Sequence, residues 1–383
     1  MSLAPFARDE LSLTEKLWQV NWGLVLILGL IGLVGFAMLY SAANGSADPW
    51  AWRQAVRFMV GLGVLLAAAV IDIRIWLRLA YPIYGAVLVL LIAVEIGGTI
   101  GMGARRWIDL GLIQIQPSEL MKVALVLVLA RYFHAANPND RGWLGYLLPP
   151  LVLLAAPVLL VSRQPDLGTA MILLMVGVSV FFLAGVTWRF FATLFVAALA
   201  AIPLGWQFLH GYQKARILTF FDPERDPLGA GYQILQSKIA FGSGGVFGKG
   251  FLGGSQSHLN FLPEKQTDFI FTMLAEEWGL MGGLALLTLY GLVILYGIFI
   301  ALSSRSHFGR LLALGVTMIF FLYVFINIAM VTGLMPVVGV PLPFVSYGGT
   351  ALLSLLFAFG LVINVWIHRE VRLSRFGQSG ADA

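Results

Sequence analysis

The residue best suited to chemistry is Asp268, a carboxylate placed where a polar stretch meets an apolar one. It closes the sequence NFLPEKQTD at 260–268, and the apolar run FIFTMLA follows it and ends at Glu276 and Glu277. A carboxylate this close to hydrocarbon costs free energy unless it is paired, hydrated or used in a reaction. Asp268 is therefore a candidate functional residue, and a carboxylate there could take the proton of a hydroxyl group as a general base.

Basic side chains precede this carboxylate in the same polar region, at Arg216, Lys238, Lys249 and Lys265. Cations stabilise a departing anion while a base accepts a proton from the attacking hydroxyl. The combination therefore suits a transfer reaction in which an anionic group leaves.

Further polar islands interrupt the apolar sequence at 52–54, 103–122, 163–168 and 335–349. Their candidate binding residues are Arg53, Gln54, Glu119, Lys122, Asp166 and Ser346. Each island also has a structural interpretation. The first suits an interfacial Trp/Arg anchor, and the last, a Pro/Gly-broken segment at membrane depth, suits either a re-entrant turn or the wall of a wet cavity.

Two islands could consist of ion pairs. Pro117 can open a helix at its first position, which would place Glu119 and Lys122 three residues apart on one helix face, where they could neutralise each other. Charges inside a span usually face a cavity rather than lipid, so a binding role stays open. Asp166 could pair with Arg163 in a tight turn.

The glycine-rich loop at 242–254, GSGGVFGKGFLGG, looks superficially like a phosphate-binding loop. It fails the Walker A pattern because Ser243 stands where the first glycine belongs and Gly250 follows Lys249. Two interpretations remain: a loop whose glycines permit positive φ, and a cradle of backbone amides for a lipid pyrophosphate.

Composition places the chain in a membrane. Of its 383 residues, 59% are hydrophobic and 11% charged, against about 25% charged in a soluble domain, and its mean hydropathy is +0.88. The net charge of +5 calls for no nucleic-acid partner. With no cysteine and five scattered histidines that form no H-E-x-x-H motif, the sequence predicts no metal site.

Ten apolar runs are long enough to cross roughly 30 Å of hydrocarbon. They lie near 22–41, 55–71, 75–96, 118–134, 145–161, 168–186, 189–209, 280–302, 310–333 and 347–367. The predicted fold is an all-α polytopic membrane protein with ten transmembrane helices in a single domain of residues 1–383. Basic residues concentrate in the loops that share a side with both tails, 1–21 and 370–383. By the positive-inside rule both termini are predicted to be cytoplasmic, and the large loop 210–267, between spans seven and eight, extracytoplasmic.

These islands, in this order, resemble the SEDS family (shape, elongation, division, sporulation) of bacterial cell-wall proteins. The resemblance covers nearly all ten spans and rests on GARRW (103–107), QPSELMK (116–122), QPDLGTA (164–170), GYQILQSKIA (231–240), LPEKQTDFIF (262–271), AEEWG (275–279) and PLPFVSYGG (341–349). The segment 336–349 is similar to elongation members, whereas division members tend to read PTKGLTLPLLSYGG there. Trp278, where Leu is usual, and Lys265-Gln266, where Arg-His or a similar pair is common, depart from the family pattern.

The resemblance implies a peptidoglycan glycosyltransferase of the bacterial inner membrane that polymerises lipid II and works with a class B penicillin-binding protein and other elongation-complex membrane proteins. It assigns the essential residue to Asp268. The family's Arg-Gln pair corresponds to Arg53 and Gln54, its QPSE glutamate and lysine to Glu119 and Lys122, and its QPD aspartate to Asp166. No cofactor is required by any motif, although Mg²⁺ could assist a departing pyrophosphate.

Three alternatives stay open at this point. A lipid II flippase would suit an intramembrane Glu119–Lys122 pair but gives no reason for a base on the outer face. A scaffold that positions the penicillin-binding protein would use the charged islands as interaction surface. A division-type member of the same family would perform the same chemistry in a different complex.

Overall fold

The computed structural model describes residues 12–101, 104–109, 111, 114–136, 138–164, 166–208, 211–222, 230–259, 261–262 and 264–374. These residues form fourteen helices and three short strands. The helices are α1 (Leu13–Trp18), α2 (Trp22–Ala42), α3 (Ala51–Val70), α4 (Ile73–Gly97), α5 (Pro117–Ala135), α6 (Pro138–Arg163), α7 (Leu167–Leu183), α8 (Trp188–Phe208), α9 (Gly211–Phe221), α10 (Ala230–Gly244), α11 (Ser255–His258), α12 (Ile270–Ser303), α13 (His307–Val331) and α14 (Gly349–Ile367).

Each of the ten predicted apolar runs coincides with a helix, in order α2 to α8 and α12 to α14. Within the described residues, seven helices are long and apolar enough to cross a membrane: α2, α3, α4, α6 over Gly145–Arg163, α12, α13 and α14. The protein is therefore a multi-pass helical membrane protein. Of the other three, α5 carries Glu119, Lys122 and Arg131, α7 has only 17 residues, and the apolar part of α8 covers Trp188–Ala201.

The centre of the bundle is formed by α5, α13 and α14, in which a larger share of the residues is buried than in α12. Helix α13 packs against α5, α7, α12 and α14, while α3 packs along α14 and α4 along α5. A helix that is apolar on all sides belongs in the interior. The consequence for α5 is that its first two turns, with Glu119 and Lys122, enter the core.

Local signals in the sequence set where the site-bearing helices begin. Pro117 occupies the first turn of α5, where its missing N–H is not needed. Asp166 caps α7 by accepting a hydrogen bond from Thr169 N at 3.2 Å. Both helices therefore start at the polar islands that were predicted from the sequence.

A small antiparallel sheet precedes α5, although no strand is predicted from the sequence. Its strands are β1 (Thr99–Gly101), β2 (Ala104–Asp109) and β3 (Gln114–Ile115), in the order β1-β2-β3. Asp109 Oδ1 accepts a hydrogen bond from Gly111 N at 2.7 Å, and Gly111 has a φ of 84°, so the chain turns at Gly111 directly after β2. The predicted all-α class holds for the bundle, and the sheet is an addition to it.

The predicted loop 210–267 contains three helices, α9, α10 and α11. Helix α10 packs against α12 and α13. Ser237 on α10 is fully buried and its hydroxyl bonds to Thr272 Oγ1 at 2.8 Å and to Val331 O at 2.6 Å. This part of the polar region is thus packed onto the bundle beside the ends of two membrane helices.

Helix α12 is broken at Gly279, where φ is 66° and ψ is −162°. This conformation is essentially restricted to glycine. It divides α12 into a short arm, 270–278, and a long arm, 280–303. A Cβ at position 279 would lie 2.3 Å from Gly248 N and 2.6 Å from Val246 O, so the glycine-rich loop presses directly against the break.

Substitution of Gly279 by alanine is expected to lower the free energy of unfolding. The backbone conformation alone costs about 1–3 kcal/mol for a residue with a Cβ, and the clash with the loop backbone adds to it. Gly291→Ala is the matched control, because it lies on the long arm of α12 and a Cβ there meets no atom within 4 Å. Its expected change is neutral or a gain of up to about 1 kcal/mol. Equal thermal unfolding midpoints for the two variants in detergent would contradict this role of the break.

Candidate active site

Asp268 lies in a turn, residues 264–269, whose backbone is held at three successive points. The carbonyl oxygens of residues 266–268 each accept a hydrogen bond from elsewhere in the fold. The donors are Tyr347 N (2.8 Å to Gln266 O), Ser346 Oγ (2.5 Å to Thr267 O) and Asn327 Nδ2 (2.9 Å to Asp268 O). These hydrogen bonds fix the backbone position of Asp268, from which its carboxylate extends. A catalytic group must be held in place in this way.

The side chain of Asp268 is half-buried and points along the segment that joins α13 to α14, residues 332–348. Gly339 of this segment has a φ of 74°, and a Cβ there would lie 3.3 Å from Asp268 Oδ2. Because glycine has no Cβ and tolerates a positive φ, the 332–348 segment can pass close to the Asp268 carboxylate at this position. Sequence reasoning identified the carboxylate but not this neighbour.

Asn327, on α13, joins the Asp268 turn to the 332–348 segment. It is fully buried, and its Nδ2 donates to Asp268 O at 2.9 Å and to Val340 O at 2.7 Å. It was missed in the sequence because it lies inside an apolar run, 59 positions from Asp268. A lone asparagine in such a run is the signal that could have identified it.

Replacing Asn327 with leucine is expected to lower kcat by about 10–100-fold with a smaller change in KM, because a displacement of about 1 Å is enough to misplace a base. Asn364→Leu is the matched control: Asn364 is also buried and donates to backbone carbonyls, of Ala68 and Ala69 at 3.2 and 2.9 Å, away from Asp268. Both variants should lose stability to a similar extent. Equal kcat values per folded molecule would show that Asn327 does not position the base.

Gln54 and Ser346, predicted as substrate contacts, hold backbone instead. Gln54 is fully buried; its Nε2 donates to Ser346 O at 2.9 Å and its Oε1 accepts from Gly348 N at 3.4 Å. Ser346 is 4% exposed, and its hydroxyl accepts from Leu342 N at 2.8 Å while donating to Thr267 O. We assign both residues a positioning role in place of the substrate contact.

Glu119 and Lys122 form a buried ion pair with a third member, Tyr323 of α13. Lys122 Nζ lies 2.7 Å from Glu119 Oε1 and also donates to the Tyr323 hydroxyl. That hydroxyl donates to Glu119 Oε2 at 2.5 Å. Glu119 is 5% exposed and Lys122 is 2% exposed, so the arrangement is the structural pair rather than a cation facing a substrate.

A small cavity of about 10 Å³, room for about one water molecule, lies between Tyr323 of this triad and the 332–348 segment. Tyr323 forms part of its wall, together with residues 341–344, Ser346 and Gly348. Tyr323 therefore connects the triad to the segment that carries Gly339. A change at the triad would reach Asp268 through the packing of that segment.

Asp166 is buried, and its partners differ from the predicted one. Besides capping α7, its Oδ2 accepts from Gln116 Nε2 at 3.4 Å and lies 3.9 Å from Arg106 Nη1. Arg163 is exposed and is not among these partners. The interpretation as an Arg163–Asp166 turn pair is thus corrected: Asp166 joins the sheet, the start of α5 and the start of α7.

Two arginines lie on one face at the start of α3. Arg53 is exposed, as an anion-binding residue must be. Arg57, one turn later, was not predicted; its guanidinium lies 5.0 Å from the ring centroid of Tyr347. Because Tyr347 N also holds the Asp268 turn, this stacking brings a cation toward the candidate base.

The other basic residues predicted near Asp268 differ in their solvent exposure. Lys238 is exposed on α10, with its stem beside Gly333 at the end of α13. Arg216 is on α9, and its side chain lies outside the described part of the structure. Lys265 is buried within the Asp268 turn, and this burial lowers the pKa of its ammonium group.

The glycine-rich loop is tied to the short arm of α12 rather than open to a ligand. Lys249 N donates to Glu276 O and Gly250 N donates to Glu277 O, both at 3.0 Å. The Lys249 ammonium lies 2.7 Å from Glu276 Oε1. These amides and this cation are therefore occupied, so the structure supports the conformational interpretation of the glycines and not the pyrophosphate cradle.

Glu277, the next residue of the short arm of α12, is also fully buried. Its Oε1 accepts from Ser41 Oγ at 2.5 Å and lies 3.3 Å from His258 Nε2, while its Oε2 accepts from Leu252 N at 3.3 Å. Together with Glu276 it attaches the short arm to the glycine-rich loop and to α2. The two glutamates act as anchors for the helix that follows Asp268.

Within the residues that the structure describes, no three imidazole, carboxylate or thiol groups come together as a metal site. The Asp268 turn also holds the carboxylate of Glu264, whose Oε2 accepts hydrogen bonds from Gln266 Nε2 at 3.2 Å and Thr267 Oγ1 at 3.0 Å. No chemical step is assigned to a metal.

Comparison with known proteins identifies a matching family model and similar proteins along most of the chain. A family model described as a cell cycle protein, FTSW_RODA_SPOVE, matches residues 16–371. Peptidoglycan glycosyltransferase MrdB of Escherichia coli (strain K12) is 46% identical over 349 residues, which cover 91% of this chain and 94% of MrdB. These matches extend over the membrane helices and over the Asp268 turn.

Solved structures are similar over the same length. A chain from a peptidoglycan synthase complex, described as coordinating polymerization and crosslinking, matches with a TM-score of 0.79 and 38% identity over 91% of this chain and 98% of that chain. The rod shape determining protein RodA of Thermus thermophilus matches with a TM-score of 0.69 and 33% identity over 91% of this chain and 97% of RodA.

Proposed function

Because this chain belongs to the FTSW_RODA_SPOVE family of cell cycle proteins, we propose that it is a peptidoglycan glycosyltransferase that polymerises lipid II during cell elongation. The observation that carries the proposal is the Asp268 turn. Three anchored carbonyls hold a half-buried carboxylate at the point where a packed polar region meets a membrane helix. This is the arrangement that a positioned general base requires.

The proposed reaction is a single displacement at the anomeric carbon of the donor. Lipid II carries an α-linked pyrophosphate and the polymer is β-linked, so one in-line step inverts that carbon. The acceptor hydroxyl oxygen forms the new bond, its proton passes to Asp268, and the bond to the pyrophosphate oxygen breaks. The electron pair leaves with the lipid diphosphate, and no covalent enzyme intermediate forms.

The departing diphosphate needs positive charge that is not already neutralised. We assign this role to Arg53 and Arg57 first, because both lie at the start of α3 and Arg57 stacks on Tyr347, and to Lys238 and Arg216 second. Lys122 is removed from the candidates, since its ammonium is bonded to Glu119 and Tyr323. Asp166 is assigned a positioning role through the sheet and α5.

The proposed topology has ten crossings of the bacterial inner membrane, formed by α2 to α8 and α12 to α14. Both termini are placed in the cytoplasm by the positive-inside rule. Residues 210–267, with α9 to α11, would then lie outside, on the same side as Asp268. Lipid-linked substrates reach this face without their tails leaving the membrane.

The proposed partner is a class B penicillin-binding protein, within an assembly of elongation-complex membrane proteins. The support is the similarity to a chain of a peptidoglycan synthase complex that couples polymerization to crosslinking. A division-type role is less supported, because the 332–348 segment reads PVVGVPLPFVSY from 336 and the chain is 46% identical to MrdB. Glycan polymerisation would be the shared chemistry in either complex.

The experiment that tests the proposal supplies the purified protein and its partner with labelled lipid II. Glycan chains are the expected product. Movement of lipid II across vesicle membranes without any polymer would favour a flippase instead. Partner binding with neither polymer nor lipid movement would leave only a scaffold.

A further inference from the structure

The glycine-rich loop carries an exposed apolar tip beside the break in α12. Phe247 is 80% exposed and Val246 is 49% exposed. Neither side chain takes part in the contacts that hold the loop to Glu276 and Glu277. A contiguous exposed apolar patch, as opposed to a single exposed side chain, marks a surface that binds a protein or a membrane.

Backbone hydrogen bonds place this tip at the first turn of the long arm of α12. Gly245 O accepts from Leu280 N at 3.0 Å, and Val246 O accepts from Met281 N at 3.1 Å. Gly248 N donates to Gly244 O at 2.8 Å, which closes the loop on itself. The tip therefore cannot fold back onto the bundle without breaking these bonds.

The length of the long arm sets the height of the tip relative to the membrane. At about 1.5 Å per residue, residues 280–303 extend about 36 Å. The hydrocarbon core is about 30 Å thick, and about 40–45 Å with the headgroup regions. Leu280 and Met281, and the tip bonded to them, therefore lie in the headgroup region when the other end of the arm is at the opposite boundary.

The tip adjoins the exposed apolar surface of α12. Leu280, Met281 and Leu284 are exposed by 56%, 53% and 48%, and the first two are bonded to the tip through their backbone N–H groups. Aromatic rings gather at the same level, where Tyr40 at the end of α2 stacks on Phe251 with their centroids 6.4 Å apart. Aromatic side chains are enriched at this depth in membrane proteins.

We propose that Val246 and Phe247 form a membrane wedge that inserts into the headgroup region of the adjacent leaflet. The occupant of this surface is lipid, because the tip carries no charge and continues the exposed apolar face of α12, a helix long and apolar enough to cross a membrane. Through Lys249, Gly250 and the two glutamates, the wedge is connected to the short arm of α12, which follows Asp268. The wedge thereby fixes the height of the Asp268 turn above the hydrocarbon.

Spin labelling tests this depth, and it needs no catalytic activity. The chain has no cysteine, so Phe247→Cys provides a unique attachment site for a nitroxide. The protein is placed in vesicles of phosphatidylethanolamine and phosphatidylglycerol, and label collisions with oxygen and with a water-soluble nickel chelate are compared. Leu295→Cys on the exposed face of α12 is the lipid control, and Ala47→Cys in the exposed loop after α2 is the water control.

The wedge predicts an oxygen-to-nickel accessibility ratio at position 247 several-fold above that at 47 and approaching that at 295, with Val246→Cys giving the same ranking. A ratio at 247 equal to that at 47 would overturn the proposal. Nickel access that is high in vesicles and falls only when a penicillin-binding protein is added would also overturn it, since a protein would then cover the tip.

Discussion

Asp268→Asn is expected to reduce glycan polymerisation by about 10²–10⁴-fold, the usual contribution of a positioned general base. Asparagine has nearly the same shape and keeps the backbone carbonyl that Asn327 binds, but its amide cannot accept the hydroxyl proton. The three anchors of the turn involve main-chain oxygens, so the fold should persist. Initial rates with labelled lipid II, in the presence of the partner, measure the loss.

Asp222→Asn is the matched control for this substitution. Asp222 is an exposed carboxylate at the end of α9, in the same polar region of the chain. The substitution removes one negative charge outside the Asp268 turn, so the polymerisation rate of this variant should stay within about two-fold of the native rate. Comparable losses in both variants would point to overall charge rather than to a proton acceptor at Asp268.

The second large effect is expected in stability, at the buried triad. Lys122→Met leaves the Glu119 carboxylate in the core without its cation and should lower the free energy of unfolding by about 3–5 kcal/mol. A fall in thermal unfolding midpoint in detergent measures it. The reason is the burial of both partners, at 5% and 2% exposure, in a central helix of the bundle.

Combining Lys122→Met with Glu119→Gln separates structure from reaction. Without a charge on either residue, most of the lost stability should return, because buried ion pairs often exchange for neutral groups at little net cost. Any polymerisation that Lys122→Met loses through unfolding should return in the double variant. A double variant that regains its unfolding midpoint but makes no glycan would show that the pair acts in the reaction, and an unchanged midpoint for Lys122→Met would exclude the structural role.

Features that depend on nearby residues were predictable from the sequence. Apolar runs of sufficient length became helices, Pro117 opens α5, and Asp166 stands at the start of α7. Asp268 could be selected because a carboxylate at a polar–apolar junction is costly without a use. In each case the signal lies within a few residues of the feature.

Features that depend on distant partners were not predictable. Tyr323 lies 204 positions from Glu119, and nothing local distinguishes it from other tyrosines in apolar runs. The glycine pattern at 242–254 indicated positive φ but not that Lys249 and Gly250 would bind the carbonyls of a helix break. Likewise Asp166 meets Arg106 of the unpredicted sheet rather than the neighbouring Arg163.

Substrate-contact predictions were least secure where the residue could bond to backbone. Gln54 and Ser346 have the polar groups that a sugar or diphosphate would need. In the structure these groups are hydrogen-bonded to backbone carbonyls, of Ser346 and Thr267 respectively. Arg57 gains its importance only from stacking on Tyr347. A residue type indicates what a side chain can bind, while the packing of remote segments decides what it does bind.

The most direct test of a base at Asp268 measures lipid II binding and polymerisation on the same nanodisc sample of Asp268→Asn. Proton abstraction predicts that the variant retains lipid II with an affinity within a few-fold of the native protein while polymer is lost. Loss of lipid II binding in parallel with loss of polymer would assign Asp268 to substrate recognition and contradict the proposed mechanism.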